Sequence, residues 1–196
     1  ARAHQGELLL CPIGPLTNIA AAMELDPSFC SNLKGMVVMG GSLRAGGNIT
    51  PAAEANFYHD PHAADFVLRH GCNMTLVGLD VTNRVICPRS FFARLASESP
   101  KMGGLLHDMA EFYIDFYETV GKFAGCGMHD PSALVACIAP ELFTTEPHAL
   151  RVALSGDRSG EMIAVANSTA QPVNVCTDVQ AEAVKQNFFK NVAKLS

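Results

Sequence analysis

The amino-acid sequence predicts an α/β fold with a mostly parallel central sheet, flanked by helices and carrying a C-terminal antiparallel hairpin. Short apolar runs alternate along the chain with segments of helical periodicity, and this alternation is typical of β-α-β units. Near the C-terminus, two short strand-like segments are separated by a polar stretch rich in glycine and serine, which predicts the hairpin. With domains averaging about 150 residues, the 196 residues predict a single α/β domain spanning 1–196.

The first half of the sequence predicts strands that alternate with helices. Leu16, Ile19 and Met23 recur at helical spacing and predict the first helix. Asp60 followed by Pro61 predicts a second helix, with Asp60 as its N-cap. A long loop precedes that helix, and loops of such length inside a compact domain are usually functional. In chain order, the elements are a buried strand at 8–12, a helix at 15–25, a buried strand at 36–39, the loop at 42–59, a helix from 61 to 71 and a buried strand at 75–79.

The second half predicts mainly helices, followed by the hairpin and one more strand. The longest helix has an apolar side that is predicted to be core, with a platform for stacking bases as the alternative. That side consists of Leu106, Met109, Ala110, Tyr113, Phe116 and Tyr117. In order, the elements are helices at 88–97 and 102–120, a glycine-rich turn at 121–128, a helix at 132–139, hairpin strands at 151–154 and 162–166, a strand at 173–179 and an amphipathic helix at 180–193.

Composition excludes several classes of protein. A hydrophobic share of 48% and a charged share of 17% are typical of a folded globular chain. The net charge of −5 argues against nucleic acid or an anionic membrane as partner, and no apolar run is long enough to span a bilayer. The 7 cysteines include no CxxC pair, so we expect reduced thiols in a cytoplasmic protein. The chain has no dinucleotide-binding, P-loop or nucleophile-elbow motif.

Polar groups collect where ligands bind in open α/β sheets, at the carboxyl ends of the parallel strands. The long loop contributes Asn48, Glu54 and Asn56, whose amide and carboxylate groups suit vicinal hydroxyls. Glu54 and Asn56 reach the same side only if the segment is extended, and solvated loop side chains are the alternative. The turn at 12–18 offers carbonyls that suit a hard cation or a sugar hydroxyl, although a plain strand-to-helix turn would look the same.

His129 and Asp130 form the densest pair of chemical groups. A histidine has an ordinary pKa of about 6.5, which suits proton transfer at neutral pH. Asp130 has an alternative interpretation as the N-cap of a helix that begins at Pro131. Asp60 has the same signature without a chemical neighbour, so a cap accounts for it fully.

Several of these segments are specific in combination and cover nearly the whole chain. They are Cys11–Ala20 (CPIGPLTNIA), Met39-Gly40-Gly41, Gly47-Asn48 through Ala53-Glu54-Ala55-Asn56, Leu79-Asp80-Val81-Thr82 and Met128-His129-Asp130. In this order, they resemble the inosine-uridine-preferring nucleoside hydrolase family. The resemblance implies a hydrolase (a glycosidase of nucleoside catabolism and salvage) that cleaves the N-glycosidic bond of ribonucleosides into ribose and free base.

The resemblance also implies roles for individual residues around a bound Ca²⁺ that activates water and holds the ribose hydroxyls. The backbone carbonyl of Ile13 and the carboxylate of Asp130 would be calcium ligands, and Asp130 would also contact the substrate. His129 would assist departure of the base, as a general acid or by hydrogen bonding. Substrate contacts would come from Met39, packed against the sugar, from Asn48 and Glu54 at the 5′-hydroxyl and from Asn56 at the 2′-hydroxyl.

The sequence departs from the family at one important motif. The family's aspartate cluster, of the form DxDxGxDD, precedes the segments matched here and supplies calcium ligands and the general base. Asp60 and Asp80 are isolated carboxylates and do not replace it. Because Ca²⁺ normally takes about six to eight oxygens, one carboxylate and one carbonyl predict only feeble binding. We therefore expect this chain by itself to be catalytically silent or nearly so.

The start of the chain also favours an incomplete N-terminus, with a short disordered leader as the alternative. The chain lacks an initiating methionine and soon enters a predicted buried strand. Missing strands would leave an unpaired sheet edge, so we expect a homo-oligomer or a complementing N-terminal segment as partner. Two further functions stay open, a ribose- or nucleoside-binding module without catalysis and a purely structural remnant.

Overall fold

The computed structural model describes residues 1–119, 124–166 and 171–195. Val120 and residues 121–123 of the predicted glycine-rich turn lie outside them. The strands are β1 (Leu9–Leu10), β2 (Gly35–Met39), β3 (Met74–Val77), β4 (Ile86–Cys87), β5 (Cys126–Gly127), β6 (Phe143–His148), β7 (Leu150–Val152), β8 (Met162–Ala164) and β9 (Val173–Val179). The helices are α1 (Thr17–Leu25), α2 (Ala55–His59), α3 (Pro61–His70), α4 (Leu79–Thr82), α5 (Arg89–Glu98), α6 (Met102–Thr119), α7 (His129–Ile138) and α8 (Ala181–Ala193).

The central sheet contains strands in the order β1-β2-β3-β9-β6. Strands β1, β2, β3 and β9 run parallel, and β6 pairs antiparallel with β9. Strands β4 and β5 form a small antiparallel ladder, and β7 and β8 form another. The predicted mostly parallel sheet and the C-terminal hairpin are confirmed.

The inner strands β2 and β3 place side chains into apolar cores on both faces of the sheet. Val37 of β2 belongs to one core, together with residues of α5, α6, α7 and α8. Val38 and Leu76 belong to the other, which α1 and α3 cover. Strands buried on both faces have nearly continuous apolar sequences, and this explains why β2 and β3 are predictable from the sequence.

Strand β1 differs from the buried strand predicted at 8–12. It is 2 residues long and lies at the edge of the sheet, and 37% of Leu9 is exposed. Its apolar sequence resembles that of a central strand, but β2 is its sole neighbouring strand among the described residues.

The loop predicted at 42–59 ends earlier than expected, because its last residues form helix α2. Glu54 is the N-cap of α2, and its carboxylate accepts hydrogen bonds from the backbone N–H groups of Asn56 and Phe57. Glutamate is an uncommon N-cap, so the sequence around Glu54 does not announce a helix start. The segment that follows Glu54 is therefore helical and not extended.

The two aspartates that precede prolines behave differently. Asp60 caps α3 as predicted, accepting a hydrogen bond from the backbone N–H of Ala63 at 2.9 Å. Asp130 is not a cap, because α7 already begins at His129 and its N-cap is Met128, whose side chain makes no capping hydrogen bond. The alternative interpretation of Asp130 as a helix cap is wrong.

The apolar side predicted for α6 is also largely wrong. Helix α6 buries a narrow stripe of Gly103, Ala110 and Ile114, and it leaves Tyr113 and Phe116 more than half exposed. At Gly103 helix α6 lies against the backbone of α5, because an added Cβ would overlap the carbonyl oxygen of Leu95. Strand β6 was not predicted, since its sequence is polar and contains Pro147, which is typical of an edge strand.

Candidate active site

A cavity of about 480 Å³ opens at the carboxyl ends of β1 and β2, beside the N-terminus of α7. It has a polar wall, formed by the turn after β1, the end of the 42–54 loop and the start of α7. The opposite wall is apolar and comes from α5, α6 and α8. All of the site residues predicted from the sequence line this cavity, namely Ile13, Met39, Asn48, Glu54, Asn56, His129 and Asp130.

Glu54 connects the polar wall to the turn that follows β2. One carboxylate oxygen (Oε2) accepts hydrogen bonds from the backbone N–H of Gly41 at 2.9 Å and from that of Phe57 at 3.2 Å. The other oxygen (Oε1) accepts from the N–H of Asn56 at 2.9 Å. Glu54 is 2% exposed, and burial raises the pKa of its carboxyl in spite of these N–H groups, with a smaller contribution from the charge of Asp130.

The turn that Glu54 holds requires glycine. Gly41 has a φ of +69°, in the left-handed region that side chains disfavour. A Cβ atom at this position would also lie 2.9 Å from the ring of Phe57. The glycines after β2 therefore let the chain turn tightly over α2 and bring Glu54 to the cavity.

Asn56 joins the ends of β1 and β2 from the cavity side. Its Nδ2 donates to the backbone carbonyl of Met39 at 3.1 Å and lies 3.4 Å from the carbonyl of Ile13. A primary amide has two N–H donors, and the acceptors around them are these two carbonyls and Sδ of Met39 at 3.3 Å. The Oδ1 atom of Asn56 is left as an acceptor.

The loop that carries Asn48 is fixed at its base and within its tip. The carboxylate of Asp80 accepts hydrogen bonds from three consecutive backbone N–H groups at 43–45, at 2.7, 2.7 and 3.1 Å. In the tip, the carbonyl of Ala53 accepts from the N–H groups of Asn48 and Ile49. The Oδ1 atom of Asn48 accepts from the N–H of Ala55 at 2.9 Å. Asp80 therefore has a structural role at the base of this loop.

His129 begins α7 and lies between two hydroxyl groups. Its Nδ1 is 2.8 Å from Oγ1 of Thr82, a fully buried residue at the end of α4. Its Nε2 is 3.1 Å from the hydroxyl of Tyr117 on α6. Burial raises the pKa of Tyr117 to about 12, so its hydroxyl stays protonated at neutral pH.

Asp130 is half-buried in the first turn of α7. Burial raises the pKa of its carboxyl above the ordinary value. Its position at a helix N-terminus opposes this effect, because the helix dipole favours a negative charge there. The carboxylate and the carbonyl of Ile13 are the two predicted calcium ligands, and both line the cavity.

The described residues contain no group of three or more His, Cys, Asp or Glu side chains arranged to hold a metal ion. Calcium in proteins normally has about six to eight oxygen ligands. The donors that this part of the chain places at the cavity therefore do not make a complete calcium site.

The sequence places Thr82 in a segment typical of the family and Leu106 and Met109 on the apolar side of a helix, but it predicts neither the contact of Thr82 with His129 nor an apolar wall of the cavity. Thr82 and His129 are 47 positions apart, and no local pattern connects them. The apolar wall includes Phe92, Leu106, Met109 and Phe188. The alternative interpretation of the α6 aromatic residues is a platform for stacking bases, and two of them, Tyr113 and Tyr117, line the cavity.

Comparison with known families matches residues 1–186 to a family described as inosine-uridine preferring nucleoside hydrolase. A probable uridine nucleosidase 1 from Oryza sativa subsp. japonica is 39% identical over 158 residues, which cover 81% of this chain and 49% of that protein. An inosine-uridine preferring nucleoside hydrolase from Leishmania major is 35% identical over 187 residues, covering 93% of this chain and 57% of that protein. The chain thus spans about half the length of the curated relatives it matches.

Solved structures share the fold. A plant nucleoside hydrolase superimposes with a TM-score of 0.94 at 30% identity, covering 98% of this chain and 64% of that one. A purine-preferring ribonucleoside hydrolase from Gardnerella vaginalis superimposes with a TM-score of 0.93 at 33% identity, covering 99% of this chain and 63% of that one.

Proposed function

Because the chain belongs to the inosine-uridine preferring nucleoside hydrolase family, we propose that it carries the sugar- and base-binding part of an enzyme that hydrolyses ribonucleosides to ribose and free base. The observation that carries this proposal is the 480 Å³ cavity, which brings together residues far apart in the sequence. Its polar wall suits a pentose and its apolar wall suits a planar base. The preferred base stays open, since the relatives include uridine nucleosidases and a purine-preferring enzyme.

The polar wall has acceptors left for sugar hydroxyls. An ionised carboxylate offers about four lone-pair sites, and three backbone N–H groups occupy three of those of Glu54. One site remains for a hydroxyl donor, together with Asn48, and we assign both residues to the 5′-hydroxyl. The Oδ1 atom of Asn56 is assigned to the 2′-hydroxyl, and Met39 packs against the sugar ring.

His129 is assigned to the departing base. Cleavage of an N-glycosidic bond builds positive charge on the sugar and negative charge on the base. An N–H donor at His129 would stabilise the leaving base, and the carboxylates of Glu54 and Asp130 would stabilise the sugar. The half-buried position of Asp130 strengthens its interaction with a cationic sugar, because charges interact more strongly away from water.

The family is generally metal-dependent. We propose Ca²⁺ as the metal of the whole enzyme, with the carbonyl of Ile13 and the carboxylate of Asp130 as ligands from this part. These two donors do not complete a site, so the remaining ligands must come from residues outside it. The roles proposed for Asn48, Glu54, Asn56 and His129 therefore concern contacts of these side chains with the nucleoside and not with the metal.

The exposed edge of the central sheet is a surface where a missing segment of the enzyme could pair with this chain. Strand β1 has an unpaired outer edge among the described strands, and Leu8, Leu9 and Ile13 are exposed beside it. On the neighbouring surface of α7, Leu134 is 51% and Ile138 is 65% exposed. We propose that a complementing segment, or a second copy of the chain, covers this apolar edge.

The redox state of the cysteines indicates in which cellular compartment the protein works. All seven cysteines are free, and no helix in the described ranges is long and apolar enough to cross a bilayer. Reduced thiols are usual in the cytoplasm, which we propose as the compartment.

A binding module without catalysis is the second candidate function. It is favoured because the described residues contain no group of three or more His, Cys, Asp or Glu side chains that could hold a metal ion. Such a module would keep the contacts of Asn48, Glu54 and Asn56 with a sugar.

Hydrolysis of inosine and uridine by the full chain tests these proposals. The chain is assayed for release of reducing sugar alone and after addition of the DxDxGxDD-bearing segment of a relative. We expect hydrolysis only in the mixture, and a loss on the order of 100-fold or more in His129→Ala, as for removal of an acid-base group. The exposed His62→Ala is the matched control and should keep full activity.

The outcomes separate the candidates. Ribose or nucleoside binding without hydrolysis in either sample would favour the binding module. Absence of both binding and hydrolysis in the mixture would contradict both functions.

A further inference from the structure

The imidazole of His129 is held from inside the fold by a residue that does not line the cavity. Thr82 is fully buried, and its Oγ1 lies 2.8 Å from Nδ1 of His129. Tyr117 and Gly127 do line the cavity, and both are on the side of Nε2. The two ring nitrogens therefore face different surroundings, with Nδ1 toward the core and Nε2 toward the cavity wall.

The direction of the inner hydrogen bond follows from the chemistry of a hydroxyl. Threonine has one O–H donor and two acceptor sites, and a buried donor without an acceptor is rare and costly. Within the described part of the chain, Nδ1 of His129 is the one hydrogen-bond partner of the Thr82 hydroxyl. The hydroxyl therefore donates its proton to Nδ1, and the neutral ring carries its own proton on Nε2.

Gly127 provides room for this arrangement. A Cβ atom at position 127 would lie 2.7 Å from Nε2 of His129, which is closer than non-bonded atoms approach. The hydroxyl of Tyr117, at 3.1 Å from Nε2, can accept the ring proton through its oxygen. The ring is thus fixed on both sides, and the N–H is directed along the cavity wall.

We propose that Thr82 is a positioning residue, which fixes the ring of His129 in the tautomer that presents Nε2–H toward the cavity. The consequence for catalysis rests on the proposed function, because an N–H donor at Nε2 is what a departing base would use. The tautomer itself does not depend on that function. A valine at position 82 keeps the shape of threonine but cannot donate to Nδ1, so the ring loses its preference between tautomers.

Nitrogen NMR of the full chain labelled with ¹⁵N-histidine tests the proposal at a single pH where the imidazoles are neutral. The His129 signals are assigned by their loss in His129→Gln. We expect a protonated Nε2 and an unprotonated Nδ1 in the wild type and in Thr82→Ser. In Thr82→Val, we expect averaged signals from both tautomers. Thr75→Val, a half-buried threonine of β3, is the matched control and should leave His129 unchanged.

A second measurement connects the tautomer to the reaction. In the chain supplemented with the DxDxGxDD-bearing segment, Thr82→Val should lower kcat on the order of 10-fold or more, with KM within about twofold, and Thr82→Ser should restore it. A wild-type ring protonated on Nδ1, or an unchanged tautomer in Thr82→Val, would overturn the proposal. If the supplemented chain is inactive, the proposed function fails while the NMR result still decides the role of Thr82.

Discussion

Glu54 serves both the fold and the proposed sugar site. It is buried, it caps α2, and it accepts the N–H of Gly41 from the turn after β2. A sequence can suggest that such a glutamate binds a ligand, and family resemblance did so here. It cannot show that the same carboxylate satisfies three backbone N–H groups, because those contacts depend on how the loop folds back.

Glu54→Ala is expected to lower the free energy of unfolding by about 2–3 kcal/mol. The substitution leaves buried N–H groups without an acceptor, and each such group typically costs about 1–3 kcal/mol, partly relieved by water. Urea denaturation measures the change. Glu7→Ala, an exposed glutamate whose partner is His4 on the surface, should change stability by less than about 0.5 kcal/mol. Equal effects of the two substitutions would contradict the role of Glu54.

Burial of Glu54 also predicts the sign of a pH effect. Its pKa is raised in the folded state, so the folded chain holds this proton more tightly than the unfolded chain. Its contribution to stability is therefore fully present below the unfolded pKa of about 4.3 and is lost as the pH rises through the higher folded pKa. The other titratable groups that line the cavity are Asp130, His129, Cys126, Tyr113 and Tyr117.

Denaturation of the wild type and of Glu54→Gln at several pH values measures this effect. The difference in unfolding free energy, wild type minus variant, should be larger at pH 4 than at pH 7. A difference that stays constant or grows with pH would show that the pKa of Glu54 is not raised.

Short elements limited what the sequence could predict. Strands β2 and β3 and helices α3, α5 and α8 were predicted close to their observed bounds, because apolar periodicity and caps mark them. Helix α2 was missed because its cap is a glutamate, and β6 because its sequence is polar. The Asp-Pro pair at Asp130 wrongly predicts an N-cap. The same pair of residues occurs when the aspartate is the N-cap and when it already lies in the first turn of the helix.

Strand β5 contributes a position where a single methyl group should disturb the site. In Gly127→Ala, the new Cβ would meet Nε2 of His129, so the ring must turn away. We expect hydrolysis by the supplemented chain to fall about 10-fold, as for loss of a residue that orients a catalytic group. Gly104→Ala is the matched control, because no atom lies within 4 Å of the added Cβ. Full activity of Gly127→Ala would argue against the observed position of His129.

Strand β1 predicts self-association in the absence of a complementing segment. An unpaired edge strand with apolar side chains can form hydrogen bonds with a strand of another molecule, and a lysine in the edge strand prevents this association. We expect the wild type to associate at increasing concentration in light scattering, and Leu9→Lys to stay monomeric. Leu25→Lys, at a residue that is 87% exposed on α1, should associate as the wild type does. A wild type that is monomeric throughout would contradict this expectation.

At the scale of the whole molecule, sequence and structure agree on what this part of the family fold contains. The resemblance identified site residues in segments far apart, and the cavity brings every one of them together. Their roles stay predictions, because contact with a common cavity does not show which group meets which atom of a ligand. The chain covers about half the length of its curated relatives. The predicted calcium site is likewise incomplete, because this chain supplies only two of its ligands.

Calcium titration tests whether the predicted calcium site is incomplete. Isothermal titration of the chain with CaCl₂ should show no micromolar site, because two oxygen ligands are too few. Addition of the DxDxGxDD-bearing segment should create one, and Asp130→Asn should abolish it. The exposed Asp108→Asn should leave it intact. A micromolar site in the chain alone would overturn the expectation of an incomplete site.

The loop that carries Asn48 has a thermodynamic consequence for ligand binding. At its base, backbone N–H groups donate to Asp80, and at its far end Glu54 accepts a hydrogen bond from the N–H of Gly41. In its tip, the N–H groups of Asn48 and Ile49 donate to the carbonyl of Ala53. Ordering a free loop at the moment of association typically subtracts several kcal/mol from affinity. Here the loop is already ordered in the folded chain, so binding of a pentose would not have to order it. A larger part of the favourable contact energy would therefore appear as binding affinity.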